Sequence, residues 1–94
     1  MKEKKNHEGI REEISKVLEV PSEVISDFPK IVLTGNKEVY IENFQGLVEY
    51  GMQKIRLNTK CGIFVIDGID LEIKKMTADY ITIRGTIIQT GFVL

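Results

Sequence analysis

Few residues of this chain have the types and spacing that support chemistry. Nucleophilic catalysis needs a nucleophile beside a base, with a third group to orient it. The 94 residues include one histidine, His7, and one cysteine, Cys61. His7 lies in a charged stretch that reads as a frayed tail, which leaves Cys61 without a histidine partner. Cys61 reads as a small residue beside Gly62 in a turn. Asp67-Gly68-Ile69-Asp70 brings two carboxylates together, but a calcium loop needs several more oxygen ligands, so the run reads as turn chemistry. Glu38, Glu42 and Glu49 are available for paired-carboxylate hydrolysis, yet Glu42 alternates with Ile41 as an exposed strand position does. The glycines punctuate strands instead of opening helices, and no phosphate-cradling spacing appears. The expectation is a non-enzymatic protein with no catalytic, metal or cofactor-binding residues.

Charge points the same way. The net charge of −1 exerts no general pull toward nucleic acid. Residues 53–84 carry Lys54, Arg56, Lys60, Lys74, Lys75 and Arg84 against four acids, a weak basic bias that a solvated strand face explains. A small β-barrel binding single strands through these cations and nearby aromatics is the alternative, as is a small-ligand site in a barrel mouth. A lone cysteine suits an intracellular protein. The longest apolar run, Ile63–Ile66, has four residues against the ~20 of a spanning helix, so no direct membrane insertion is expected. The charged N-terminus has no apolar stretch behind it that would make a signal peptide.

The elements that carry these residues follow from periodicity. A chain of this length fits one domain, 1–94. Residues 1–7 read as a flexible tail. Residues 8–27 read as a helical segment, with Ile10, Ile14, Val17 and Leu18 on one stripe and Pro21 ending or restarting the helix. Residues 30–94 read as an antiparallel sheet body with turn chemistry every eight to twelve residues or less. Turns are expected at Gly35-Asn36, Asn43–Gly46, Gly51, Lys60–Gly62, Asp67-Gly68, Thr77–Asp79 and Gly85. The fold class is mainly β with an N-terminal amphipathic helix, an antiparallel meander forming a small sandwich, roll or partly open barrel. A hairpin at Asp67-Gly68 sets Phe64, Ile66, Leu71 and Ile73 on one face, whether its loop has two residues or four. Ile55 and Leu57, and Ile81 and Ile83, alternate with polar residues in the same way. Ile63 and Val65 break the rule by being apolar on the other face, which asks for cover from the N-terminal helix or from a partner.

Asp27–Gly51, DFPKIVLTGNKEVYIENFQGLVEYG, resembles the opening of the YabP/YqfC-type sporulation proteins, nearest the YqfC type. Asp27, Pro29, Gly35, Ile41, Glu42, Asn43, Gly46 and Leu47 stand in the places of that pattern. The alternating second half, with glycines at 62, 68 and 85, is also similar, so the likeness spans about residues 10–90. The resemblance implies a non-enzymatic structural or adaptor protein of endospore formation. It implies a cytoplasmic protein of the mother cell, peripheral to the membrane around the forespore, with an integral membrane stage IV sporulation protein as partner. Edge strands would also allow a homo-oligomer. The candidate partner-binding residues are Ile41, Glu42, Asn43, Phe44, Gln45, Gly46 and Leu47. Phe44-Gln45 departs from the His-Arg of some relatives, which makes this turn less basic.

Overall fold

The computed structural model describes residues 27–94. The tail over 1–7 and all but the last residue of the helical segment over 8–27 lie outside the described residues. Six antiparallel strands follow: β1 (Lys30–Thr34), β2 (Glu38–Glu42), β3 (Gly46–Tyr50), β4 (Lys54–Thr59), β5 (Gly62–Met76) and β6 (Tyr80–Val93). They form one open sheet in the order β1-β2-β6-β5-β4-β3, with β1 and β3 on its rims. The chain is thus mainly antiparallel β.

Two expected hairpins are not hairpins. Asp67-Gly68 lies inside β5 and Gly85 lies inside β6, so four short strands are two long ones. Phe64 accordingly faces Leu57 and Phe92 across the sheet, not Leu71 or Ile73. The physical reason is close approach of the backbone of the paired strand. The Thr86 carbonyl occupies the place a Cβ at residue 68 would take, and the Asp70 carbonyl oxygen lies 2.7 Å from the Cβ position at Gly85, where φ is +147°. These glycines permit bulges, and register shifts run from Asp67 to Lys75. The simple meander is also corrected: β2 pairs with β6, not with β3. The true β5–β6 turn is at Thr77–Asp79, where the Thr77 hydroxyl accepts from the Asp79 and Tyr80 amides at 3.1 Å.

Connectivity shows that the long hairpin folds over on itself. Glu42 pairs with Tyr80 at the turn end of β6, whereas Gly46 pairs with Asn58, itself opposite Ile63 at the start of β5. On a straight β5 these two ends would lie roughly 40 Å apart. The link from Glu42 to Gly46 reaches at most about 14 Å. The bulges at Gly68 and Gly85 therefore double the sheet back, and its two halves face each other as the layers of a small sandwich. Val39, Ile41, Ile81 and Ile83 from one half share a single buried cluster with Ile55, Leu57, Phe64 and Ile66 from the other. Leu71 and Ile87 complete it near the bends, and Ile73 packs at its margin. Ile63 and Val65 sit half-buried on the outside, opposite Asn58 and Val93, and Arg56 and Gly91.

The two halves are built alike. Exchanging β1 with β3, β2 with β4 and β6 with β5 returns the same strand order. Each small hairpin locks one bend: Gly85 and Ile87 donate to the Lys37 and Asn36 carbonyls at 3.1 and 2.7 Å. Gly68 and Leu71 donate to the Gln53 and Met52 carbonyls at 3.0 and 2.8 Å. Residues 30–42 and 46–58 echo this in sequence, with Ile31/Leu47, Val32/Val48, Gly35/Gly51, Val39/Ile55 and Ile41/Leu57 in equivalent places.

Candidate functional site

The seven candidate residues form the corner where the chain crosses from one layer to the other. Ile41 ends inside the core, between Ile31 and Ile81, and offers a partner nothing. Asn43 takes a left-handed φ of 61°, which asparagine tolerates better than most residues. Its amide donates to the Asp79 carbonyl at 3.1 Å, and its side chain donates to the Phe28 carbonyl at 3.2 Å. Phe44 packs partly against the core, and the Gln45 amide donates to the Asn58 carbonyl at 2.7 Å. Gly46 opens β3. Much of this run is therefore occupied in turning the corner.

What remains for a partner is the outer surface. Asn43 and Gln45 are exposed, and with Phe44 they line a shallow depression closed by Asp27 and Lys60. Those two form an ion pair at 2.9 Å. Leu47 is exposed beside the depression, and Val48, Tyr50 and Met52 are exposed further along and just past rim strand β3, with the Tyr50 hydroxyl accepting from the Ile73 amide at 3.3 Å. Asp27, Lys60 and the β3 residues lie outside the sequence-derived set. Leu47-Val48, two adjacent apolar residues spanning a bulge, is the one local sign of that row.

Glu42 has a different task. On the outer face of β2 the Tyr40 hydroxyl donates to its Oε1 at 2.6 Å. That hydrogen bond, followed by burial and the carboxylate's charge, pushes the Tyr40 phenol up to about 12. The Tyr80 ring stands 5.4 Å from Tyr40, and the Lys75 ammonium sits 5.6 Å from the Tyr80 ring centre. The linkage sign follows from a raised acid. The stabilisation is fully present below pH ~10, where Tyr40 is protonated folded or unfolded, and it is lost as pH rises through about 12. Alkaline difference absorbance should resolve one phenolate step near pH 12, and Glu42→Gln should move that step to lower pH.

The other chemistry-bearing residues are dispersed. Asp67 pairs with Lys54 at 3.5 Å, Asp70 adopts a positive φ at the β5 bend, and Cys61 is half-buried in the β4–β5 turn. Among the described residues no three His, Cys, Asp or Glu groups converge as metal ligands. Arg56, Lys74 and Arg84 each pair with a carboxylate, Glu49, Glu38 and Glu72 respectively.

The fold and this corner define a small antiparallel β protein whose accessible features are surface features. The YabP family model matches residues 27–93, and the chain belongs to that family. It is 35% identical over 74 residues to the YqfC protein of Bacillus subtilis (strain 168), covering 79% of this chain and 80% of the relative. No solved structure matches. Family membership points to a sporulation-associated protein.

Proposed function

We propose that this chain is a non-enzymatic structural or adaptor component of endospore formation that acts by binding another protein. The observation that carries the reading is the exposed row Gln45, Leu47, Val48, Tyr50 and Met52, which runs from the interlayer corner along an open rim of the sheet. Exposed apolar side chains along a strand that has no outer neighbour among the described residues suit a protein partner. The partner we infer is an integral membrane protein of stage IV of sporulation, met from the cytoplasm of the mother cell. Nucleic acid is the weaker reading, because Lys54, Arg56, Lys74 and Arg84 already hold carboxylates.

Fractionation of sporulating cells tests this. The tagged protein should pellet with membranes and be released by high salt or detergent. Met52→Glu, at the most exposed residue of the row, should shift it to the soluble fraction while its far-UV circular dichroism stays unchanged. A wild-type protein that remains soluble throughout sporulation would overturn the reading.

A further inference from the structure

The first and last strands in the sheet order, β1 and β3, are guarded differently. Rim strands tend to be protected by bulges, charges or cover, because their free N–H and C=O groups invite pairing. β3 carries a bulge between Leu47 and Glu49, and Glu49 reaches across to Arg56. β1 has no bulge, and its one charged residue, Lys30, stands at its end. Its register with β2 is continuous from Lys30↔Glu42 to Thr34↔Glu38, and its central three residues, Ile31, Val32 and Leu33, are apolar. Val32 is 42% and Leu33 49% exposed.

The direction of the β1 backbone can be read from the hairpin. The Thr34 carbonyl accepts from the Lys37 amide at 3.1 Å, so Thr34 turns its main-chain groups toward β2. Alternate residues do the same, which leaves the N–H and C=O of Ile31 and Leu33 directed away from the sheet. We propose that this rim takes a second copy of the same chain, β1 against β1, antiparallel about a two-fold axis through Val32.

The strand is self-complementary in that register. Ile31 lies opposite Leu33 of the second copy, and each such pair exchanges two main-chain bonds, about four across the seam. Both side chains belong to the inner face, where Ile31 already packs on the core. Val32 meets Val32 of the second copy at the axis. Lys30 lies opposite Thr34 of the second copy, so no like charges face each other. It then stands between its own Glu42 and, one strand further, Glu38 of the second copy, because Thr34 pairs with Glu38. Glu42 flanks each lysine on its own side of the seam, while Glu38 beyond it already holds Lys74. An interface of this kind is isologous and closed, and yields a dimer with a twelve-stranded sheet instead of a fibre. β3 against β3 has no such match: the bulge displaces Leu47 from Glu49 in register, and about Val48 the two would oppose each other. The seam leaves the Gln45–Met52 row uncovered, so it does not depend on the partner reading above.

The test uses the full chain, with light scattering over a concentration series. A mass twice that of the chain is expected at the upper concentrations. Val32→Lys sets two lysines against each other on the axis and should raise the dissociation constant roughly tenfold or more. Val48→Lys, at the equivalent place on β3, should leave it unchanged. In a Cys61→Ser background, oxidised Val32→Cys should give a disulfide-linked dimer, since facing residues of a non-hydrogen-bonded pair stand about 4.5 Å apart between Cα atoms. Val48→Cys in the same background should not. Single-copy mass at every concentration, with no crosslink through Val32→Cys, would overturn the proposal. So would a dimer that Val32→Lys leaves as tight as before.

Discussion

Gly68→Ala should abolish cooperative folding or cut the urea midpoint by more than half. A methyl group there meets the Thr86 carbonyl oxygen, with the Leu71 side chain 2.8 Å away. The first obstacle is backbone of the paired strand, so no rotamer change relieves it, and the Gly68 amide is itself tied to the Gln53 carbonyl. Overpacking of this kind costs typically 1–3 kcal/mol and more when backbone must move. A domain of this size has on the order of 5 kcal/mol to lose. Gly85→Ala adds a conformational penalty, because φ is +147° there, to a carbonyl contact of 2.7 Å. Gly91→Ala is the contrast, with nothing within 4 Å of the added atom, and should stay within about 0.5 kcal/mol of wild type. Urea unfolding followed by circular dichroism separates the three. A Gly68→Ala protein as stable as wild type would show that the doubling of β5 does not pass through this residue.

Ile41→Ala should lower the melting temperature by about 8–40 °C. The side chain has no exposed surface and sits between Ile31 and Ile81 in the shared cluster. Truncating a buried isoleucine costs about 2–5 kcal/mol, and in a domain this small each kcal/mol moves the midpoint about 4–8 °C. Both layers draw on the same core, so calorimetry should show one transition at the lower temperature, with no separate melting of β1 and β2. The result matters for interpreting partner binding. Ile41 belongs to the run that the sequence nominates for contact, yet a binding defect in Ile41→Ala would report an unfolded layer. Gln45→Ala should leave the midpoint within about 0.5 kcal/mol of wild type and so reports on the surface alone. Two transitions in the Ile41→Ala scan would contradict the shared core.

Strand alternation made the core legible in advance. Ile55 with Leu57 and Ile81 with Ile83 are buried as their period-two spacing requires, and β1 and β4 begin and end where the turn residues place them. Asp67-Gly68 misleads for a physical reason. Asp-Gly between apolar runs is a strong local signal for a hairpin, and the local signal is overruled by Thr86, a residue of another strand. The pairing of β2 with β6 is hidden for a related reason, since nothing near Glu38–Glu42 specifies a partner some forty residues ahead. At the corner, the resemblance drew attention to Ile41–Leu47 but could not separate the residues that make the turn from those that face solvent. That division depends on the Asp79 and Phe28 carbonyls, which meet Asn43 only in the folded chain.

The palindromic strand order bears on how the protein is made. A ribosome delivers residues at about 5–20 per second, and β1–β2 emerges early. Among the described residues its one other neighbour in the sheet is residues 80–84 of β6. Until that strand leaves the exit tunnel, the places opposite Val39 and Ile41 that Ile83 and Ile81 fill stay open, so this hairpin waits for residues 80–84. The β4–β5 pair, by contrast, can close as soon as it is synthesised. Translation speed past Met76 then sets how long an apolar hairpin stays open to capture, and holding chaperones would find their target at the front of this chain rather than at its end.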